Sequence, residues 1–135
     1  GTHGGVLTFQ PPRLGPTYRQ FVPLPDADGP DVAGVRPLQV RVPLGTSTGW
    51  NVRAPGHRAP NLCGLTGTYV PFAKTLAERL AKGDPRPSLE ERYGTHAGFV
   101  DAVTKAARQL VKERFLLQED ADAFVAAAEA SDVLR

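Results

Sequence analysis

Thr95-His96-Ala97-Gly98-Phe99-Val100-Asp101-Ala102-Val103-Thr104-Lys105-Ala106-Ala107-Arg108-Gln109-Leu110-Val111-Lys112 is the stretch that decides the fold. Phe99, Val103, Ala106, Ala107 and Leu110 recur at helical spacing and form one apolar stripe, with Asp101, Lys105, Arg108 and Lys112 opposite. Beyond Phe115-Leu116-Leu117, a second helix carries Ala121, Phe124, Val125 and Ala128 on one face. Two amphipathic helices joined by a short turn pair as an antiparallel hairpin. Upstream, the run from Pro71 to Lys82 stops at Gly83, ahead of Asp84-Pro85. Ser88-Leu89-Glu90-Glu91 is a capping box, the serine accepting from the third helical amide while Glu91 reaches back. The pattern predicts helices over 73–82, 88–93, 95–114 and 118–130, so residues 73–135 read as a helical subdomain.

Residues 1–72 have a different texture. Most of the 13 prolines fall between Pro11 and Pro60, and proline removes a backbone donor and excludes long helices. Phe21-Val22-Pro23-Leu24 and Val32-Ala33-Gly34-Val35-Arg36 flank Asp26-Ala27-Asp28-Gly29, a turn sequence, which predicts a β-hairpin. Leu38-Gln39-Val40-Arg41-Val42 alternates apolar and polar residues and predicts a half-buried strand. The fold class expected is α+β: an extended, proline-rich arm with short strands, then a helical hairpin.

Composition bounds the function. A chain of 135 residues has room for one domain. The net charge of +2 comes without any block of like charge, which argues against nucleic acid or an acidic membrane as partner. No apolar run approaches the length of a membrane span, and no secretory segment is visible. A single cysteine excludes an internal disulfide framework and favours a reducing, cytoplasmic setting, although a leader upstream of Gly1 would not show in this sequence. The sequence contains no methionine and begins at Gly1, so it reads as a segment of a larger protein.

Candidate chemistry is sparse. Gly45-Thr46-Ser47-Thr48-Gly49 fits the G-x-S-x-G nucleophile elbow, which makes Ser47 a candidate nucleophile. The elbow also needs a helix directly after it, and Pro55-Gly56 interrupts that stretch, so a glycine-flanked loop is the competing reading. Asp26, Asp28 and Asp31 do not make a calcium loop, because Pro37 stands where the bidentate glutamate is required. His3, His57 and His96 show no ligand spacing, and no metal or other cofactor is expected. Cys63 sits beside apolar residues with no basic neighbour and reads as a structural thiol. Trp50, followed by Asn51 and Arg53, suits a surface anchor.

The order of several motifs carries a resemblance. Val22-Pro23-Leu24-Pro25-Asp26-Ala27-Asp28-Gly29, Val42-Pro43-Leu44-Gly45, Thr48-Gly49-Trp50-Asn51-Val52-Arg53 and Leu65-Thr66-Gly67 lead to Val70-Pro71-Phe72-Ala73. Gly83-Asp84-Pro85-Arg86, Ser88-Leu89-Glu90-Glu91-Arg92-Tyr93 and Leu110-Val111-Lys112-Glu113-Arg114-Phe115 follow. Together, over roughly 14–135, they resemble the C-terminal part of a bacterial family of large α/β-hydrolase domain-containing proteins. The resemblance implies a serine hydrolase acting on an ester or related acyl bond, with the triad in the order serine, acid, histidine. Serine and acid would then lie upstream, and only His3, in Gly1-Thr2-His3-Gly4, could belong to the triad.

Three readings follow. In the first, the chain packs against the catalytic body of a parent hydrolase, lines its ester cleft with Trp50, Asn51, Tyr69 and Phe72, and is not catalytic alone. In the second it is a stand-alone structural or binding module. In the third, Ser47 serves a small self-contained esterase. Uncovered amphipathic faces favour the first; a closed core favours the second.

Overall fold

The computed structural model describes residues 10, 11, 13, 15–17, 19–57, 61, 64 and 66–135. The helical hairpin is its centre. Helix α4 (His96–Lys112) and helix α5 (Gln118–Ala130) pack antiparallel, joined by 113–117. Phe99, Val103, Ala107 and Leu110 of α4 bury their side chains against Ala121 and Ala128 of α5. The small alanines let the helix backbones approach closely, so this core is made of shape as much as of bulk.

Sharp local signals set the helix boundaries. Thr95 accepts from the Gly98 amide and starts α4. Helix α4 ends at Lys112, two residues short of expectation, because Arg114 adopts a left-handed conformation at φ 66°. The Arg114 amide then donates to Val111 O and the Phe115 amide to Leu110 O, a Schellman closure without its usual glycine. Helix α3 (Leu89–Tyr93) carries the expected capping box on Ser88, whose side chain is fully buried. Gly98 is required where α3 meets α4: a Cβ there would lie 2.0 Å from the Tyr93 carbonyl oxygen.

Helix α2 (Leu76–Lys82) starts at its cap Thr75 and not at 73. Ala73 and Lys74 lie outside the helix, and their carbonyls accept from the Leu89 and Glu90 amides at the open start of α3. A helix over 73–75 would have withdrawn those acceptors. Among the described residues there are five helices and one two-stranded antiparallel sheet, so the chain is α+β as expected.

Two expectations for the arm are corrected, and one element of it was not anticipated. Leu38–Arg41 is a single helical turn, α1, and not a strand. Leu38 and Val42 stand four apart, so one turn of helix directs both onto α4, whereas a strand leaves that pair no better placed than Val40. Alternation over five residues fits both periods. The hairpin at 21–36 reduces to its turn: a single bridge joins Pro25 and Asp31, and the Asp26 amide donates to Pro30 O. Pro23, Pro25 and Pro30 remove the donors that longer strands would need. The sheet lies elsewhere. Strand β1 (Gly45–Thr48) pairs with β2 (Thr68–Pro71), which was not anticipated in Gly- and Thr-rich sequence. A Cβ on Gly45 would meet the Val70 carbonyl oxygen at 2.6 Å, which explains the glycine.

Candidate functional site

The β-ribbon and the 24–32 turn are fastened to α3 by charge. Arg92, on α3, grips Asp28 with both terminal guanidinium nitrogens, Nη1 at 2.8 Å. Arg86 grips Asp84 in the same forked way, Nε to Oδ1 at 2.9 Å and Nη2 to Oδ2 at 2.6 Å. Its remaining Nη1 donates to Thr46 Oγ1 at 2.9 Å and to Val70 O at 3.1 Å, reaching both strands. Thr46 completes the circuit by donating to the Asp28 carbonyl. Forked guanidinium–carboxylate pairs are among the stronger polar contacts, and sharing them across segments makes a clasp.

Phe72 is the apolar centre of that clasp. It is only 5% exposed, and the guanidinium carbons of Arg92 and Arg86 lie 4.0 and 5.0 Å from its ring centroid. Cations over an aromatic face gain from the ring quadrupole. The hydrogen bonds from Arg86 pull the Asp84 carboxyl from 3.8 down to about 2. Nearby, Tyr93 donates its hydroxyl to Pro43 O at 2.7 Å and meets Phe99 edge-on, with 5.4 Å between ring centroids. Burial pushes that hydroxyl from 10.0 up to about 12.

Beside the clasp opens a groove of about 830 Å³. One wall is β1 and its continuation through Ser47 to Trp50; the other is the turn region with Val22, Pro23, Pro25 and Asp31. Ser47 lies mid-strand, opposite Tyr69 in the register, and is exposed. No strand-to-helix turn forms at Ser47: the segment before β1 holds α1, and among the described residues no helix lies between β1 and β2. Among the groove's lining residues the titratable group is Asp31, with no histidine or lysine. Activation of a serine requires a base held on its hydroxyl; Asp31 is the one carboxylate of the lining, and among the described residues no hydrogen bond ties it to Ser47.

The other candidates divide. Trp50 and Tyr69 present broad apolar faces to solvent, at 57% and 56% exposed. Asn51 is half-buried beside Trp50, and Phe72 is enclosed by the clasp. The ribbon thus brings Ser47, Trp50 and Tyr69 into one neighbourhood and leaves Phe72 beneath it. His57 is exposed in a turn, and His96 lies at the start of α4 against the carbonyls of Glu129 and Val133. His3 and Cys63 fall outside the described residues. Among the described residues no group of three or more His, Cys, Asp or Glu side chains is placed to share a metal ion.

Sequence reasoning missed the clasp. Its local half was visible, since Asp84 and Arg86 stand two apart; its long-range half, Asp28 with Arg92, had no signal along the chain. In the comparison with known families, the model described as an alpha/beta hydrolase domain matches residues 7–126. No curated protein and no solved structure matches the chain.

Proposed function

The chain belongs to the alpha/beta hydrolase domain family, and from that premise we propose that it forms the C-terminal part of a serine hydrolase acting on an ester or related acyl bond. In this reading the segment is not catalytic alone. It packs against the catalytic body of the parent enzyme, and Trp50, Asn51 and Tyr69 line the cleft that receives a small ester. Phe72 acts from beneath, holding the ribbon that carries them. His3 is the one residue offered to the triad, with serine and acid on the catalytic body. Chemistry there is acyl transfer to serine, with the oxyanion held by backbone amides.

The observation that supports this reading is the groove with a serine and neither histidine nor lysine in its lining, bordered by exposed apolar side chains. Phe21, Val22 and Leu24 are 89%, 82% and 72% exposed, and Trp50 and Tyr69 add aromatic surface. Apolar surface of this extent marks a binding or assembly face. The stand-alone module draws its support from the closed core of α1, α4 and α5, which covers the helical half only.

A serine-reactive fluorophosphonate separates the readings. The expected result is labelling of the parent enzyme on a serine outside this segment and no adduct on Ser47, read by intact mass and peptide mapping. A stoichiometric adduct on Ser47 would overturn the assignment of the nucleophile, and a parent enzyme that takes no label at all would overturn the serine-hydrolase reading. In the unlabelled, active parent, Trp50→Ala should lower kcat/KM by about tenfold, the worth of roughly 1.4 kcal/mol of lost binding.

A further inference from the structure

We infer that His96 is a proton-operated latch on the segment that follows α5, exchanging with Arg135 for the carbonyl of Glu129. The inference stands apart from the hydrolase reading and rests on the placement of four groups. His96 Nδ1 lies 2.8 Å from the Val133 carbonyl oxygen. Its Nε2 lies 3.3 Å from the Glu129 carbonyl oxygen, in the last turn of α5. Arg135 Nη2 donates to that same Glu129 oxygen and stands 3.5 Å from His96 Nε2.

Counting protons makes this arrangement switchable. A neutral imidazole has one N–H, so it can serve one of the two carbonyls. The shorter contact takes that proton: Nδ1–H donates to Val133, and Nε2 presents a lone pair. That lone pair faces the Arg135 guanidinium, which donates to the Glu129 oxygen in its place. A second proton reverses the Nε2 side. Nε2–H now points at the Glu129 oxygen, and an imidazolium stands 3.5 Å from a guanidinium. The Val133 bond survives in both states; the Glu129 oxygen could accept from two donors, so it is the like charge at 3.5 Å that displaces Arg135.

The fields around the ring are opposed. The first turn of α4 disfavours a cation at position 96, whereas the last carbonyls of α5 favour one. Asp132 and Arg135 are the charged side chains on the segment beyond α5, and Glu129 carries its own on the last turn of that helix. Across the adjoining cleft of about 380 Å³ stand Lys74 and Glu90, and the Glu90 carboxylate is already engaged by the Leu76 amide at 3.0 Å. Asp132, Val133, Leu134 and Arg135 make one wall of that cleft. Displacing Arg135 therefore opens the cleft from that side while Val133 stays anchored.

Long-range nitrogen–proton NMR spectra of the whole chain test this between about pH 8 and about pH 5, the span over which histidine changes charge. At the upper end His96 should be the Nδ1–H tautomer, with an ordered Arg135 guanidinium. At the lower end both ring nitrogens should carry protons and the Arg135 signal should average to that of a free guanidinium. An Nε2–H tautomer at the upper end, or an Arg135 signal indifferent to pH, overturns the latch. In His96→Gln the pH response of Arg135 should vanish, with His57 as the internal reference; a response that persists assigns it to another group and overturns the proposal.

Discussion

The two halves of this molecule are held by different forces. The α4–α5 hairpin has a nearly charge-free interior in which Phe99, Val103, Ala107 and Leu110 meet Ala121 and Ala128. The β-ribbon and its turn own no such interior; Arg86 and Arg92, with Asp84, Asp28 and the Phe72 ring, join them to α3. Hydrophobic burial is non-directional and sums over a surface, so it makes one cooperative body. A clasp of ion pairs is directional and depends on a few atoms, so it can hold a segment in place while leaving its outer face open. That is the arrangement a cleft-lining segment needs. Aromatic side chains stay exposed on the ribbon because its position does not depend on burying them.

The contrast can be broken from the apolar side first. Phe99→Ala removes a ring that is 5% exposed and packed on Tyr93, and should cost about 3–4 kcal/mol. Chemical denaturation should show the whole chain losing stability together; a loss confined to the ribbon would contradict the assignment of the core. Arg92→Ala should cost less, about 2 kcal/mol, because it strands the Asp28 carboxylate and uncovers Phe72. Hydrogen exchange should then quicken in 24–32 and β1 while α4 and α5 remain protected. Equal quickening throughout would mean the clasp and the core are one unit.

Acid sharpens the same comparison. The folded-state carboxyl of Asp84 is depressed from 3.8 to about 2, so its contribution is fully present above 3.8 and is lost as pH falls through about 2. The Arg41 hydrogen bond likewise lowers the Glu113 carboxyl, which joins α1 to the end of α4. Amide protection in β1 and β2 should therefore fall between about pH 4 and pH 2 ahead of the middle of α4, and Asp84→Asn should remove that step. The smallest effect is a gain. Arg114→Gly relieves a side chain held at φ 66° in the α4–α5 turn and should stabilise by about 0.5–1 kcal/mol, read as a raised melting temperature.

Legibility followed the range of the forces. The capping box at Ser88, the cap at Thr95 and the stripe of α4 are local, and all of them form where the residues indicated. The turn at Asp26–Gly29 is local as well, and it forms even though the strands beside it do not. Leu38–Val42 misled because five residues fit two periods equally well, and the facing surface of α4 decided between them. The ribbon was invisible because Thr46 and Val70 are joined by a long connection and by an arginine from elsewhere. Of the candidate site, Trp50 and Tyr69 lie exposed on or beside the ribbon, whereas Phe72 turned inward to the guanidinium groups.

By itself the sequence determined the helical hairpin, the proline-broken arm and the motif order that places the chain in its family. Periodicity, capping and proline chemistry act within a few residues, so they can be read along the chain. Only the tertiary structure decided that 38–41 coils, that β1 pairs with β2, and that Asp28 meets Arg92 across 64 positions. Those outcomes depend on which surface each segment finds opposite it, and no local pattern encodes the identity of a distant partner.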